Sequence, residues 1–96
     1  MTLYVLHCVD KPNALDLRMA NREAHLAYVG ARRDKVKLAG PMLDEDGNMA
    51  GSMLILDVAD RAEAEAFAAD DPYNQAGLFE RVDIKRFRAT LGDFAA

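Results

Sequence analysis

An α+β fold with the element order β-α-β-β-α-β is the architecture this sequence predicts. Three observations carry it. Four short apolar runs, rich in β-branched and aromatic residues, have the length of strands. Two stretches between them repeat apolar residues at helical spacing. Clusters of Pro, Gly, Asn and Asp punctuate the joins. The 96 residues fit one domain, residues 1–96, with no repeat, linker or low-complexity segment.

Taken in order, Thr2 to Val9 (TLYVLHCV) is the first strand, and Lys11-Pro12-Asn13 is the loop that ends it. Asp16 is placed to cap a helix running to about Asp34, in which Leu17, Ala20, Ala24, Ala27, Tyr28 and Ala31 make an apolar stripe. Val36 to Met42 is the second strand. Pro41 cannot donate to a ladder, so the strand is an edge there, or bulged. The acidic turn Asp44 to Asn48 makes a hairpin with the third strand, Met49 to Val58. Asp60 caps the second helix, Arg61 to about Ala69, with Glu63 three residues on, as in a capping box, and Ala64, Phe67 and Ala68 facing inward. Asp70-Asp71-Pro72 stops that helix, since Pro disfavours helical backbone in the residue before it. Pro72 to Leu78 is a loop, Phe79 to Arg88 the fourth strand, and residues 91–96 a loose tail. This order is the split-βαβ, ferredoxin-like arrangement, with both helices on one face of a four-stranded antiparallel sheet.

The other sheet face ought to be polar if it meets water. Instead Leu3, Val5 and Val9 share one side of the first strand while Tyr4, Leu6 and Cys8 share the other, and Met53 and Ile55 oppose Leu54 and Leu56. Two apolar faces and one set of helices imply a second cover. The simplest is another copy of the sheet, giving a homodimer.

Twelve Lys and Arg against sixteen Asp and Glu leave a net charge of −4, which argues against nucleic-acid or anionic-membrane partners. A local basic patch for a small anionic ligand stays open. One cysteine excludes an internal disulfide and a four-cysteine zinc site. No apolar run approaches the roughly 20 residues of a membrane helix, and no signal peptide is visible. The expectation is a cytoplasmic protein.

Chemistry concentrates around His25. Arg18, Arg22 and Arg32 lie within roughly 60° of it around the helix, and it borders the stripe beside Tyr28. An imidazole there suits a base or an anion site, and equally an ordinary half-buried helix residue. Asp71 is a turn starter before Pro72, or the carboxylate that orients a histidine. Ser52 has no nucleophile-elbow pattern around it but offers a hydroxyl. Cys8 is most simply a small buried hydrophobe. No ligand spacing supports a metal site from His7, His25 and carboxylates, and no glycine-rich phosphate loop or dinucleotide fingerprint is present, so no cofactor is expected.

Several pieces recur in a fixed order: an apolar first strand, Arg22-x-x-His25-x-x-Tyr28, Ala39-Gly40-Pro41, Gly51-Ser52, and Asp71-Pro72-Tyr73 followed by Ala76-Gly77-Leu78. In these the chain, from about Leu3 to about Phe87, resembles the YCII-related (YciI-like) family of small bacterial proteins. The resemblance implies a ferredoxin-like fold and a dimer built by sheet-to-sheet packing, similar to muconolactone isomerases and other dimeric α+β barrels. It implies a cleft with a His–Asp pair, which lands on His25 and Asp71 as catalytic residues. Arg22, Ser52, Gly40, Pro41 and Tyr73 fall on positions expected to bind substrate. A few family resemblances point to dehydrochlorination of chlorinated hydroxyquinols. The implied activity is that of a cofactor-independent lyase or isomerase acting on a small cyclic or aromatic substrate. The alternatives are a non-catalytic domain that binds a small molecule in the same cleft, and a structural dimer module.

Overall fold

In the computed structural model, which describes residues 1–94, the elements follow the expected order. They are β1 (Leu3–Asp10), α1 (Leu15–Ala31), β2 (Val36–Leu43), β3 (Met49–Asp57), α2 (Arg61–Asp70), α3 (Pro72–Gln75) and β4 (Phe79–Phe87), with a 3-10 turn at Arg33–Lys35. The strands form one antiparallel sheet in the order β2-β3-β1-β4. This is the ferredoxin-like topology.

Alternation along β1 sends Tyr4, Leu6, Cys8 and Asp10 to one face. There they join Leu54, Leu56 and Ile84 from the neighbouring strands and Phe67 from α2 in the buried core. α2 begins as its sequence dictates: Asp60 accepts a hydrogen bond from the Glu63 amide at 2.9 Å, and the Glu63 carboxylate accepts one from the Ala59 amide at 3.3 Å. On the other face Val5, His7, Val9, Met53 and Ile55 stay half-buried. Leu38, Met42 and Phe87 are 37%, 40% and 43% exposed. The register lines up Leu38, Ile55 and Val5 across three strands. Two apolar faces are therefore present, and the helices cover one.

Four local expectations are corrected. Asp16 is not the cap of α1; the helix starts at Leu15, with Ala14 at the cap position and no side-chain bond there. The helix ends at Ala31, three residues early, and gives way to the 3-10 turn. The stripe Leu17, Ala20, Ala24, Ala27 and Ala31 is exposed, and the inward face is instead Arg18, His25, Tyr28 and Val29. The reason is that α1 lies over a polar end of the sheet, so its polar residues find buried partners that outweigh simple apolar periodicity. The loop after Asp71 contains a one-turn helix, α3, with Pro72 at its first position. Leu91 and Phe94 of the expected tail are exposed, and the tail's last two positions, 95–96, lie outside the described residues.

Pro41 sits on β2, an edge strand with register shifts near both ends, as a residue without an amide hydrogen requires. Opposite it, β3 approaches β1 closely at Gly51. A Cβ there would stand 2.5 Å from the Cys8 carbonyl oxygen. Gly51→Ala must push two paired backbones apart beside Ser52. Its expected effect is a loss of roughly 1–3 kcal/mol, the usual penalty of overpacking. Denaturant unfolding checks it, and an unchanged midpoint would contradict the packing described here.

Candidate functional site

The polar groups gather where the C-terminal end of β1, the start of β3, α1 and the turn into α3 meet. Asp71 ends α2 and caps α3, its Oδ1 accepting from the Tyr73 amide at 2.9 Å. The same Oδ1 lies 2.8 Å from Nδ1 of His25. A carboxylate accepts only, so the neutral imidazole carries its proton on Nδ1 and its lone pair on Nε2. Among the described residues nothing bonds to Nε2. The His25 and Asp71 side chains are 11% and 3% exposed. Tyr73 stacks its ring on the imidazole at 4.0 Å and 13°, which fixes the ring plane.

A second network adjoins the first. Arg18, two helical turns before His25, donates from Nε to Asp10 Oδ2 at 2.7 Å and from Nη2 to Asp10 Oδ1 at 3.2 Å. Nη2 also donates to the Ser52 hydroxyl at 2.7 Å. The guanidinium lies 4.5 Å from the centroid of the Tyr73 ring. Tyr73 thus touches both His25 and Arg18 and joins the two networks. Burial of such an ion pair is favourable only because this bidentate geometry satisfies both charges.

These surroundings set protonation. Burial, reinforced by Asp71, pushes the Cys8 thiol up to about 12 against the pull of Arg18. Cys8 is therefore a protonated thiol near neutral pH and not a nucleophile. Burial also raises the Tyr73 phenol above its ordinary value, with Arg18 and Arg22 pulling the other way. The phenol keeps its proton and remains a donor. No group of three His, Cys, Asp or Glu is placed to hold a metal ion among the described residues.

Of the positions expected from sequence, His25, Asp71, Tyr73 and Ser52 come together. Arg22 is exposed on α1 and makes no hydrogen bond or ion pair among the described residues, although its charge still acts on Tyr73. Gly40 and Pro41 are exposed on β2, with Pro41 opposite Ser52 in the sheet. Sequence reasoning passed over the buried roles of Arg18 and Asp10. Both carried a signal: Arg18 shares a helix face with His25 at seven-residue spacing, and Asp10 continues the alternation of Tyr4, Leu6 and Cys8.

The YCII-related domain model matches residues 2–88, a span that contains every site residue above. The chain belongs to the YCII-related family. Protein YciI of Escherichia coli O6:H1 is 37% identical over 94 residues, covering 90% of this chain and 96% of that protein. An uncharacterised protein of Haemophilus influenzae is 34% identical, covering 88% and 95%. Among solved structures, the 5-chloro-2-hydroxyhydroquinone dehydrochlorinase TftG of Burkholderia phenoliruptrix AC1100, in complex with 2,5-dihydroxybenzoquinone, superposes with a TM-score of 0.85. It is 32% identical and covers 92% of this chain and 95% of that one. An antibiotic biosynthesis monooxygenase, 14% identical with a TM-score of 0.56, shares the fold alone. No helix among the described residues is long and apolar enough to cross a membrane.

Proposed function

We propose that this YCII-family chain is a cofactor-independent lyase or isomerase that performs acid–base chemistry with the His25–Asp71 pair on a small hydroxylated ring. The observation that carries the reading is the buried 2.8 Å contact from Nδ1 to Asp71, with Nε2 left as the lone-pair nitrogen. Nε2 removes a proton from the substrate, and Asp71 holds the tautomer and stabilises the imidazolium that forms. The similarity to a dehydrochlorinase supports a chlorinated hydroxyquinol as substrate. Loss of a proton to His25 and of chloride with its bonding electrons turns such a ring into a hydroxyquinone. That elimination balances without an external oxidant. General-base help is worth roughly 10²–10⁴-fold, which suits an already activated ring. Arg22, exposed on α1, draws an anionic oxygen inward. Ser52, Tyr73 and the Gly40-Pro41 edge complete the substrate-binding set. The alternative is a non-catalytic domain that binds the same ring. A pH–rate profile on a panel of hydroxyquinols and lactones separates the two: turnover with a limb set by one basic group supports the enzyme, and binding without turnover supports the alternative.

The same reading takes residues 1–96 as one cytoplasmic domain and the open sheet face as the contact with a second copy. That face carries Val5, Val9, Met53 and Ile55 in register, flanked by Leu38, Met42 and Phe87. Stable association usually buries about 1,200–2,000 Å² in total. Sedimentation at micromolar concentration is expected to show twice the 10.6 kDa chain mass. A 10.6 kDa species alone contradicts the dimer.

A further inference from the structure

The acidic turn between β2 and β3 takes no part in the chemistry above. It is a well-held tip. Oδ1 of Asp44 accepts from the amides of Asp46 and Asn48 at 3.0 and 2.9 Å, and Gly47 turns the chain at a φ of +87°. Glu45 and Asp46 stand exposed on this tip, and their carboxylates form no ion pair among the described residues. At the other end of the same two strands, the open sheet face carries a groove of about 1080 Å³. Leu38, Ile55 and Phe87 line it, and Lys37 and Arg88 stand exposed along it. These two cations form no ion pair among the described residues either. Leu91 and Phe94 of the tail wall the groove and are 93% and 83% exposed. Lys37 lies near the start of β2 and Leu43 ends it at the tip, which sets groove and tip roughly 20 Å apart at about 3.3 Å per strand residue.

The two limiting arrangements of a symmetric sheet-to-sheet contact differ in charge. With the two-fold axis along the strands, tip lies beside tip and groove beside groove, so like charges face each other. With the axis across the strands, one copy is turned end over end. Each acidic tip then reaches the other copy's groove, and symmetry makes that contact twice. Resting on the dimer reading above, we propose that the groove is occupied by the β2–β3 turn of a second copy, with Glu45 and Asp46 set against Lys37 and Arg88 of the partner subunit. These pairs select the direction in which the two sheets meet, which apolar contact alone leaves open. The turn is held in shape before it docks, so little order is lost on association.

Exchange of charge tests the inference. One variant is Lys37→Glu/Arg88→Glu, and the other is Glu45→Lys/Asp46→Lys. All four side chains are exposed, and none belongs to the His25 site. Each variant alone sets like charge on both sides of both contacts. In an equimolar mixture, a dimer of one variant with the other restores opposite charge at both. Sedimentation at low salt is expected to show the dissociation constant of each variant raised about tenfold or more. Native mass spectrometry of the mixture is expected to show mixed dimers well above their statistical share. The milder neutral pairs, Lys37→Gln/Arg88→Gln and Glu45→Gln/Asp46→Gln, are expected to weaken the dimer less. Wild-type affinity in both charge-reversed variants, with mixing at the statistical share, would overturn the inference and leave the sheet-face dimer standing. Weakened variants that gain nothing on mixing would overturn it as well. A wild-type chain that is monomeric at micromolar concentration contradicts both this contact and the dimer.

Discussion

His25→Ala is expected to abolish turnover of the ring substrate, lowering kcat/KM by roughly 10²–10⁴-fold, while the chain stays folded. Among the described residues, the imidazole is the group at the site that pairs a fixed donor bond with an unbonded ring nitrogen. Truncation also removes a bond from a carboxylate that is 3% exposed, so some loss of stability accompanies it. His25→Gln separates the two effects, since its amide still donates to Asp71 but has no basic nitrogen. Equal loss of rate in both variants identifies the base. Asp71→Asn refines the point. The amide oxygen of Asn still accepts from Nδ1 and from the Tyr73 amide, so tautomer and α3 cap persist while the charge goes. A neutral acceptor in place of the carboxylate weakens the bond to Nδ1 by about 1.4 kcal/mol, so the rate is expected to fall about tenfold in this variant. If all three variants lose thermal stability and activity per folded molecule is unchanged, the pair is structural.

Arg18→Ala is expected to be the most destabilising single substitution at the site. It strands Asp10, whose side chain is 5% exposed, and takes the donor from Ser52. Breaking a buried pair from one side costs about 3–5 kcal/mol. In a domain whose whole stability is about 5–15 kcal/mol, that lowers the thermal midpoint by at least about 12 °C. The double variant Asp10→Leu/Arg18→Met removes both charges and replaces them with apolar volume. It is expected to regain most of the loss. A cost under about 1 kcal/mol for Arg18→Ala would show the pair to be solvated and the network loosely held.

The architecture was legible because local signals agreed with one another. The Asp44 to Asn48 turn, the Asp60–Glu63 capping pattern and Pro72 each act within a few residues, and each fixes a boundary without reference to distant parts of the chain. The His25–Asp71 pair was legible from the family resemblance, and the positions of the two residues agree with it. Asp71 must end α2, and α2 packs on the same sheet face as α1. The orientation of α1 was not legible from its apolar spacing. Leu17, Ala20 and Ala24 obey the helical rule, yet they face outward, because Arg18 and His25 find Asp10 and Asp71 beneath them. Periodicity weighs transfer from water and is blind to buried charge pairs whose partners lie 8 and 46 residues away. Arg22 rather than Arg18 was expected as the site's arginine because the family resemblance carried it, in Arg22-x-x-His25-x-x-Tyr28. Spacing from His25 admits both, and only the position of Asp10 at the end of β1 distinguishes them.

In the proposed function, Nε2 of His25 drives elimination from a chlorinated hydroxyquinol. Chloride release by the purified, metal-free wild-type chain tests it most directly, read with a chloride electrode alongside the quinone absorbance. One chloride and one quinone per substrate consumed are expected, with the rate lost in His25→Gln. Release of neither product, or release that His25→Gln leaves intact, would contradict it.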